Sequence, residues 1–152
     1  MTKRELEFRK YLCQEMHGKW LVAINVENRL NPGIPDLAYV MVAPEHETGW
    51  LELKSVYAYR APKIDVRVEP SQHQWMIRYA KKVPTHFLIE VGPICYLVDG
   101  TRHNALAEHI THDDLRRISR AVIDRRNIGA ELPAVLRELT WRGRHGSKAV
   151  LW

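Results

Sequence analysis

Apolar and polar positions follow two rhythms along this chain, and the changes between them mark its elements. At about 100° per residue, Leu6, Phe8, Leu12, Cys13 and Met16 fall on one broad face, which predicts a helix from Thr2 to Met16. Thr2 followed by Glu5 has the capping-box spacing, and His17-Gly18 ends the segment. The apolar run Trp20–Val26 predicts a strand. A second run, 37–43, and a third beginning at Leu51 flank the polar segment 44–49, as in a hairpin. Ile64, Val66 and Val68 alternate with Asp65, Arg67 and Glu69, the pattern of a charged edge hairpin. Ser71 reads as the N-cap of a helix 72–82 that packs through Trp75, Met76 and Tyr79. Runs 85–91 and 94–98, separated by Gly92-Pro93, predict two further strands. Beyond residue 101, a helix from Asp113 to about Arg126, capped by Thr111 or His112, has Leu115, Ile118, Val122 and Ile123 inward. A short helix 131–139 follows it.

Together these elements predict an α/β fold, a central mixed β-sheet flanked by helices. Residues 1–100 form the core, and residues 101–152 form a small basic helical extension packed on it as one compact domain. The crossover through helix 72–82 makes strands 51–57 and 85–91 parallel, with a right-handed connection. A chain of 152 residues with 45% apolar content suffices for one substantial core and excludes two domains of ordinary size.

The net charge is +5, and residues 101–152 carry ten Lys and Arg against six Asp and Glu. That excess suits a polyanionic partner; it also suits an amphipathic pair of helices covering the sheet. Cys13 and Cys95 form no framework, which points to a reduced intracellular protein. The first residues lack the apolar segment of a secretory signal, and no run reaches the roughly 18 apolar residues of a membrane span, so a soluble cytoplasmic protein is expected. His103, His109, His112 and His145 do not have the spacing of a zinc site, and no structural metal is expected.

The chemistry concentrates in Gly33-Ile34-Pro35-Asp36-Leu37 and Leu51-Glu52-Leu53-Lys54. Two residues apart on a strand, Glu52 and Lys54 share one face while Leu51 and Leu53 point the other way into a core. A hairpin return brings Asp36 near them. Two carboxylates and a lysine are what hydrolysis of a phosphodiester with a divalent cation requires: carboxylates suit Mg²⁺, and the ammonium orients water or stabilises developing negative charge. Between Tyr57 and Pro70, basic residues alternate with aromatic or apolar ones. Arg60, Lys63 and Arg67 are placed there to meet phosphates, and Tyr57 or Tyr59 to pack on sugar or base. Asn28, Arg29 and Asn31 lie in the loop that ends at Asp36, where they either contact DNA or form a solvated connector, and Gly33 would let a DNA backbone approach.

The ordered set of helix, Gly-x-Pro-Asp, Glu-x-Lys and the Ser71-Gln72-His73-Gln74 helix start resembles the PD-(D/E)xK nuclease superfamily. Within it the chain looks most like VRR-NUC (virus-type replication-repair nuclease) domains, with archaeal Holliday-junction resolvases as more distant relatives. The resemblance runs from about residue 3 to about residue 99. It implies a restriction-endonuclease-like core and a DNA endonuclease of replication, recombination or repair, dependent on one or two Mg²⁺ or Mn²⁺ ions. Branched DNA is the leading substrate, and a homodimer would set two sites for paired cuts across a four-way junction. The implied metal ligands are Asp36, Glu52 and the Leu53 carbonyl. Glu5 is either a further ligand or only a helix cap, with Glu15 the second candidate. Lys54 would position the water and Gln74 would help place it, with Gln72 as the alternative. The products implied are a 5′-phosphate and a 3′-hydroxyl. A DNA-binding protein without chemistry and a sequence-specific restriction-type enzyme are the competing readings.

Overall fold

The computed structural model describes residues 2–25, 32–42, 48–57 and 59–151, with side chains at all of these except 20–25 and 140–151. Helix α1 (Lys3–Glu15) starts in the expected capping box: the Thr2 hydroxyl accepts from the Glu5 N–H at 3.1 Å, and Glu5 Oε2 accepts from the Thr2 N–H at 2.8 Å. Strands β1 (Trp20–Asn25), β2 (Leu37–Met41) and β3 (Thr48–Val56) follow, then a two-residue strand β4 (Lys63–Ile64) and helix α2 (Pro70–Tyr79). After β5 (Thr85–Val91) and β6 (Ile94–Asp99) come a 3₁₀ segment (Gly100–Ala105), β7 (Ile110–Thr111), α3 (His112–Ile118), β8 (Ala121–Asp124) and α4 (Ile128–Leu151).

Six strands form a mixed sheet in the order β1-β2-β3-β5-β6-β8. Neighbours are antiparallel except β3 and β5, which run parallel from Trp50 opposite Thr85 to Val56 opposite Val91. The crossover α2 makes this parallel pair, as the strand and helix pattern predicted. Strands β4 and β7 form a separate two-stranded ladder.

Alternation along the strands divides the interior into two layers. On one face of the sheet, Leu37, Leu51, Leu53, Leu88 and Leu97 pack with Phe8 and Leu12 of α1 and with Leu132 and Leu136 of α4. On the other face, Phe87, Ile89 and Val98 pack with Met76 of α2 and Leu115 of α3. No helix is long and apolar enough to cross a membrane among the described residues.

Two expectations change. The helix predicted to run to Arg126 stops at Ile118, where the Ser119 hydroxyl donates to the Leu115 carbonyl at 2.6 Å, and the chain then extends into β8 beside β6. There Ile123 is buried while Val122 is 39% exposed, an alternation of period two. Val122 and Ile123 were read at helical period; their β-branched side chains suit the strand. The part beyond residue 101 therefore contributes strands as well as helices, and the short helix expected at 131–139 lies within the longer α4.

The second change concerns α2. Its N-cap is Glu69, with Pro70 in the first turn, so the helix starts earlier than Ser71. Proline fits the first helical position because the N–H it lacks has no partner there. The shift places Gln72 at the third helical position and turns its side chain back toward Glu69 and the sheet.

Candidate active site

The hairpin pairing places Leu37 opposite Leu51, so Asp36, just before β2, meets β3 at Glu52 and Leu53. Asp36 Oδ2 accepts from the Leu53 N–H at 2.8 Å. Pro35, which has no N–H to donate, is buried directly before it. Gly33 has φ of +95°, and a Cβ there would collide with the Ser71 backbone carbonyl. The expected role of Gly33 as a place for a DNA backbone is therefore corrected: the segment that approaches it is the start of α2. This contact ties the loop before Asp36 to the helix that carries Gln72.

Glu52 is 2% and Lys54 7% exposed, on the face opposite Leu51 and Leu53, as their two-residue spacing requires. Gln72 joins them. Its Oε1 accepts from Lys54 Nζ at 2.9 Å and from the Glu69 N–H at 2.9 Å, while its Nε2 donates to Glu52 Oε1 at 2.5 Å. Lys54 Nζ lies 3.8 Å from the same Glu52 oxygen. Glu52 Oε2 is buried with no hydrogen-bond partner.

The electrostatics are those of a site short of positive charge. Burial pushes the Asp36 carboxyl above its ordinary range, the Leu53 N–H opposes this, and the Glu5 carboxylate adds to it. Burial raises Glu52 further, reinforced by the Asp36 charge and countered by Lys54. Glu5, half-buried in the first turn of α1, thus acts electrostatically on both acids while remaining the partner of the Thr2 N–H.

Do these residues fit a divalent cation? A buried carboxylate oxygen with no partner, a second carboxylate opposite it and acidity suppressed by burial and mutual repulsion are a hard, anionic oxygen set. They fit. The set consists of the Asp36 and Glu52 carboxylates with the carbonyl of Leu53, the residue after Glu52; among the described residues no group of three or more His, Cys, Asp and Glu side chains is gathered for a metal.

The other predicted residues are dispersed. Gln74, expected to reach the site, is exposed; it lines a neighbouring cavity, and Gln72 takes the place beside Glu52. The signal for Gln72 was Pro70, which marks a helix start that puts residue 72 in the first turn. Glu15 sits at the far end of α1, with its backbone carbonyl against Gly129. Arg60, Lys63 and Arg67 are exposed, and Arg67 pairs with Glu69 at 3.0 Å. Ile64 and Val66 beside them are buried, but only Lys63–Ile64 is strand, paired with β7, so the edge hairpin expected at 64–69 does not form. Tyr57 is 79% exposed, with the Arg4 guanidinium 4.0 Å from its ring centre. Tyr59 instead packs its ring edge against His112. Asn28, Arg29 and Asn31 lie outside the described residues.

No family model matches the chain, and no curated protein matches it. Among solved structures it matches Hjc, a Holliday junction resolvase of the archaeal hyperthermophile Archaeoglobus fulgidus, with a TM-score of 0.53. The match covers 82% of this chain and 99% of that one at 10% sequence identity. The two proteins share a fold. At this identity the likeness is one of architecture, a mixed sheet flanked by helices. Within this fold, the cluster of Asp36, Glu52, Lys54 and Gln72 occupies β3, the residue just before β2 and the first turn of α2.

Proposed function

We propose that this protein is a divalent-metal-dependent DNA endonuclease that acts on branched DNA, with VRR-NUC-like domains as its relatives by motif. The observation that carries the reading is Glu52: a buried carboxylate with one oxygen unpartnered, facing Asp36 and flanked by Lys54 and Gln72. A structural carboxylate at that depth would have both oxygens satisfied.

Asp36, Glu52 and the Leu53 carbonyl would hold one or two Mg²⁺ or Mn²⁺ ions, with Glu5 adding negative charge nearby. The bound cation supplies Lewis-acid charge neutralisation at the scissile phosphate and lowers the pKa of water. The chain's own groups do the positioning. The Leu53 N–H fixes the Asp36 carboxylate, and Gln72 holds both Glu52 and the Lys54 ammonium. Lys54 can then orient the attacking water or stabilise charge developing on a phosphoryl oxygen. Water adds at phosphorus, the bond to the 3′-oxygen breaks and a proton passes to that oxygen, leaving a 5′-phosphate and a 3′-hydroxyl. The exposed Arg60 and Lys63 would meet flanking phosphates, and a homodimer would present two such sites to one junction.

The test is incubation with four-way junction, flap, single-stranded and linear duplex DNA in Mg²⁺, Mn²⁺ or chelator. Cleavage of branched DNA that requires metal is the expected result, lost in Asp36→Ala. Metal-independent binding without products would select a non-catalytic DNA-binding protein, and cuts at a fixed sequence in linear DNA would select a restriction-type enzyme.

A further inference from the structure

Beside the carboxylate cluster lies a cavity of about 680 Å³ that the cleavage reading does not use. Its chemistry comes from Trp50, Ser71, Gln74, Trp75, Arg78 and Tyr79. Trp50 shares the face of β3 with Glu52 and Lys54, about 6.6 Å before Glu52 along an extended strand. On α2, Gln74, Trp75, Arg78 and Tyr79 follow Ser71 at helical spacing and present one side of the helix to the same space. Ser71 precedes Gln72 and Trp50 lies two residues before Glu52, so the cavity adjoins the elements that carry the proposed site.

Its wall is aromatic and includes one cation, Arg78. The Trp50 and Trp75 rings are 5.6 Å apart at 60°, and Trp75 and Tyr79 are 4.9 Å apart at 51°. The three rings pack in a tilted row along the cavity, and Tyr79 remains 38% exposed. Arg78, Lys81 and Lys82 are exposed on and just beyond the same helix and form no ion pair with a described residue. Gln74 offers an amide donor and acceptor.

We propose that this cavity accepts an unpaired nucleotide next to the cleaved phosphate, so that the enzyme selects DNA in which at least one base is out of the duplex. Resting on the nuclease reading above, this names the feature of a branched substrate that the site reads. Aromatic faces stack on any base, which fits a structure-specific reader, and the free cations match the phosphates on either side. The volume lies in the range of small-ligand sites and leaves room for one base with its sugar.

Binding is measured in chelator, without cleavage, using a short oligothymidine, the same DNA fully paired, and a four-way junction. Unpaired DNA should quench the fluorescence of Trp50 and Trp75 and bind more tightly than the duplex. Tyr79→Ala and Arg78→Ala, both at exposed positions, should weaken unpaired DNA about 5- to 100-fold with little effect on duplex, at unchanged Tm. Equal affinity for paired and unpaired DNA, or binding without quenching, would overturn the proposal. Because cleavage is assayed separately with metal, cleavage without quenching removes only the nucleotide pocket. Quenching without cleavage removes only the nuclease reading.

Discussion

Two glutamates on neighbouring strands of one ladder, Glu52 on β3 and Glu90 on β5, are both largely buried and are satisfied in opposite ways. Glu90 has a partner at each oxygen: Ser55 Oγ donates to Oε1 at 2.8 Å, and Arg125 Nε donates to Oε2 at 2.6 Å. Arg125 is itself held over the Tyr11 ring at 3.7 Å, and its carbonyl accepts from the Tyr11 hydroxyl at 2.9 Å. Glu52 sits deeper, shares one oxygen between Gln72 and Lys54 and leaves the other bare. The first arrangement closes on itself and stabilises the fold. The second leaves a buried carboxylate oxygen without a partner at a cost in stability, which is what the proposed metal site calls for.

The sharpest way to break this contrast is to remove both charges. Glu52→Gln should reduce metal-dependent cleavage by on the order of 10³-fold or more, as for loss of a principal electrostatic group, whereas Glu90→Gln should leave the chemical step intact. Their stabilities should move in opposite directions. In chelator, Glu52→Gln should raise Tm by about 2–4 °C through relief of buried repulsion with Asp36, and Glu90→Gln should lower it by a similar amount. If both variants lose stability equally, the distinction fails.

Gln72→Ala should lower kcat about 10- to 100-fold with little change in KM, since it removes a residue that orients Glu52 and Lys54. Gly33→Ala should be felt at both levels: strain at a positive φ and the collision with Ser71 should lower Tm by several degrees, and kcat should fall with it. Calorimetry and single-turnover cleavage on the same preparations would check both.

The smallest effect concerns His86, whose pKa burial lowers to about 4, the Asp99 carboxylate opposing. The folded state then binds fewer protons than the unfolded chain. Stability contributed by neutral His86 is present above the ordinary histidine pKa of about 6.5 and is lost as pH falls toward about 4. A His86→Gln variant should flatten the fall in Tm across that window, read by thermal melts at stepped pH.

The sheet was legible from the chain because its strands are apolar runs bounded by turn residues, and the parallel pair followed from the helix between them. Asp36, Glu52 and Lys54 were legible because alternation on one strand and a hairpin return are local rules. Gln72 was harder: its place depends on whether the helix starts at Ser71 or at Pro70, and Gln74 looked equivalent until the cap was fixed. Strand β8 was missed because Leu115, Ile118, Val122 and Ile123 also satisfy a helical period. Only the open edge of β6 decides between the two. The pocket beside Trp50 depends on α2 lying across β3, which no spacing in sequence reports.

The contacts that build the cluster are short in sequence. Asp36 to Leu53 spans 17 residues, Lys54 to Gln72 spans 18 and Glu52 to Gln72 spans 20, whereas Tyr11 reaches across 114 to Arg125. One hairpin and the crossover helix after it therefore carry Asp36, Glu52, Lys54 and Gln72, and α1 adds the charge of Glu5. Changes confined to β6, β8 or α4 should therefore leave Asp36, Glu52, Lys54 and Gln72 in register, because the hydrogen bonds that order these four groups are made within residues 36–72.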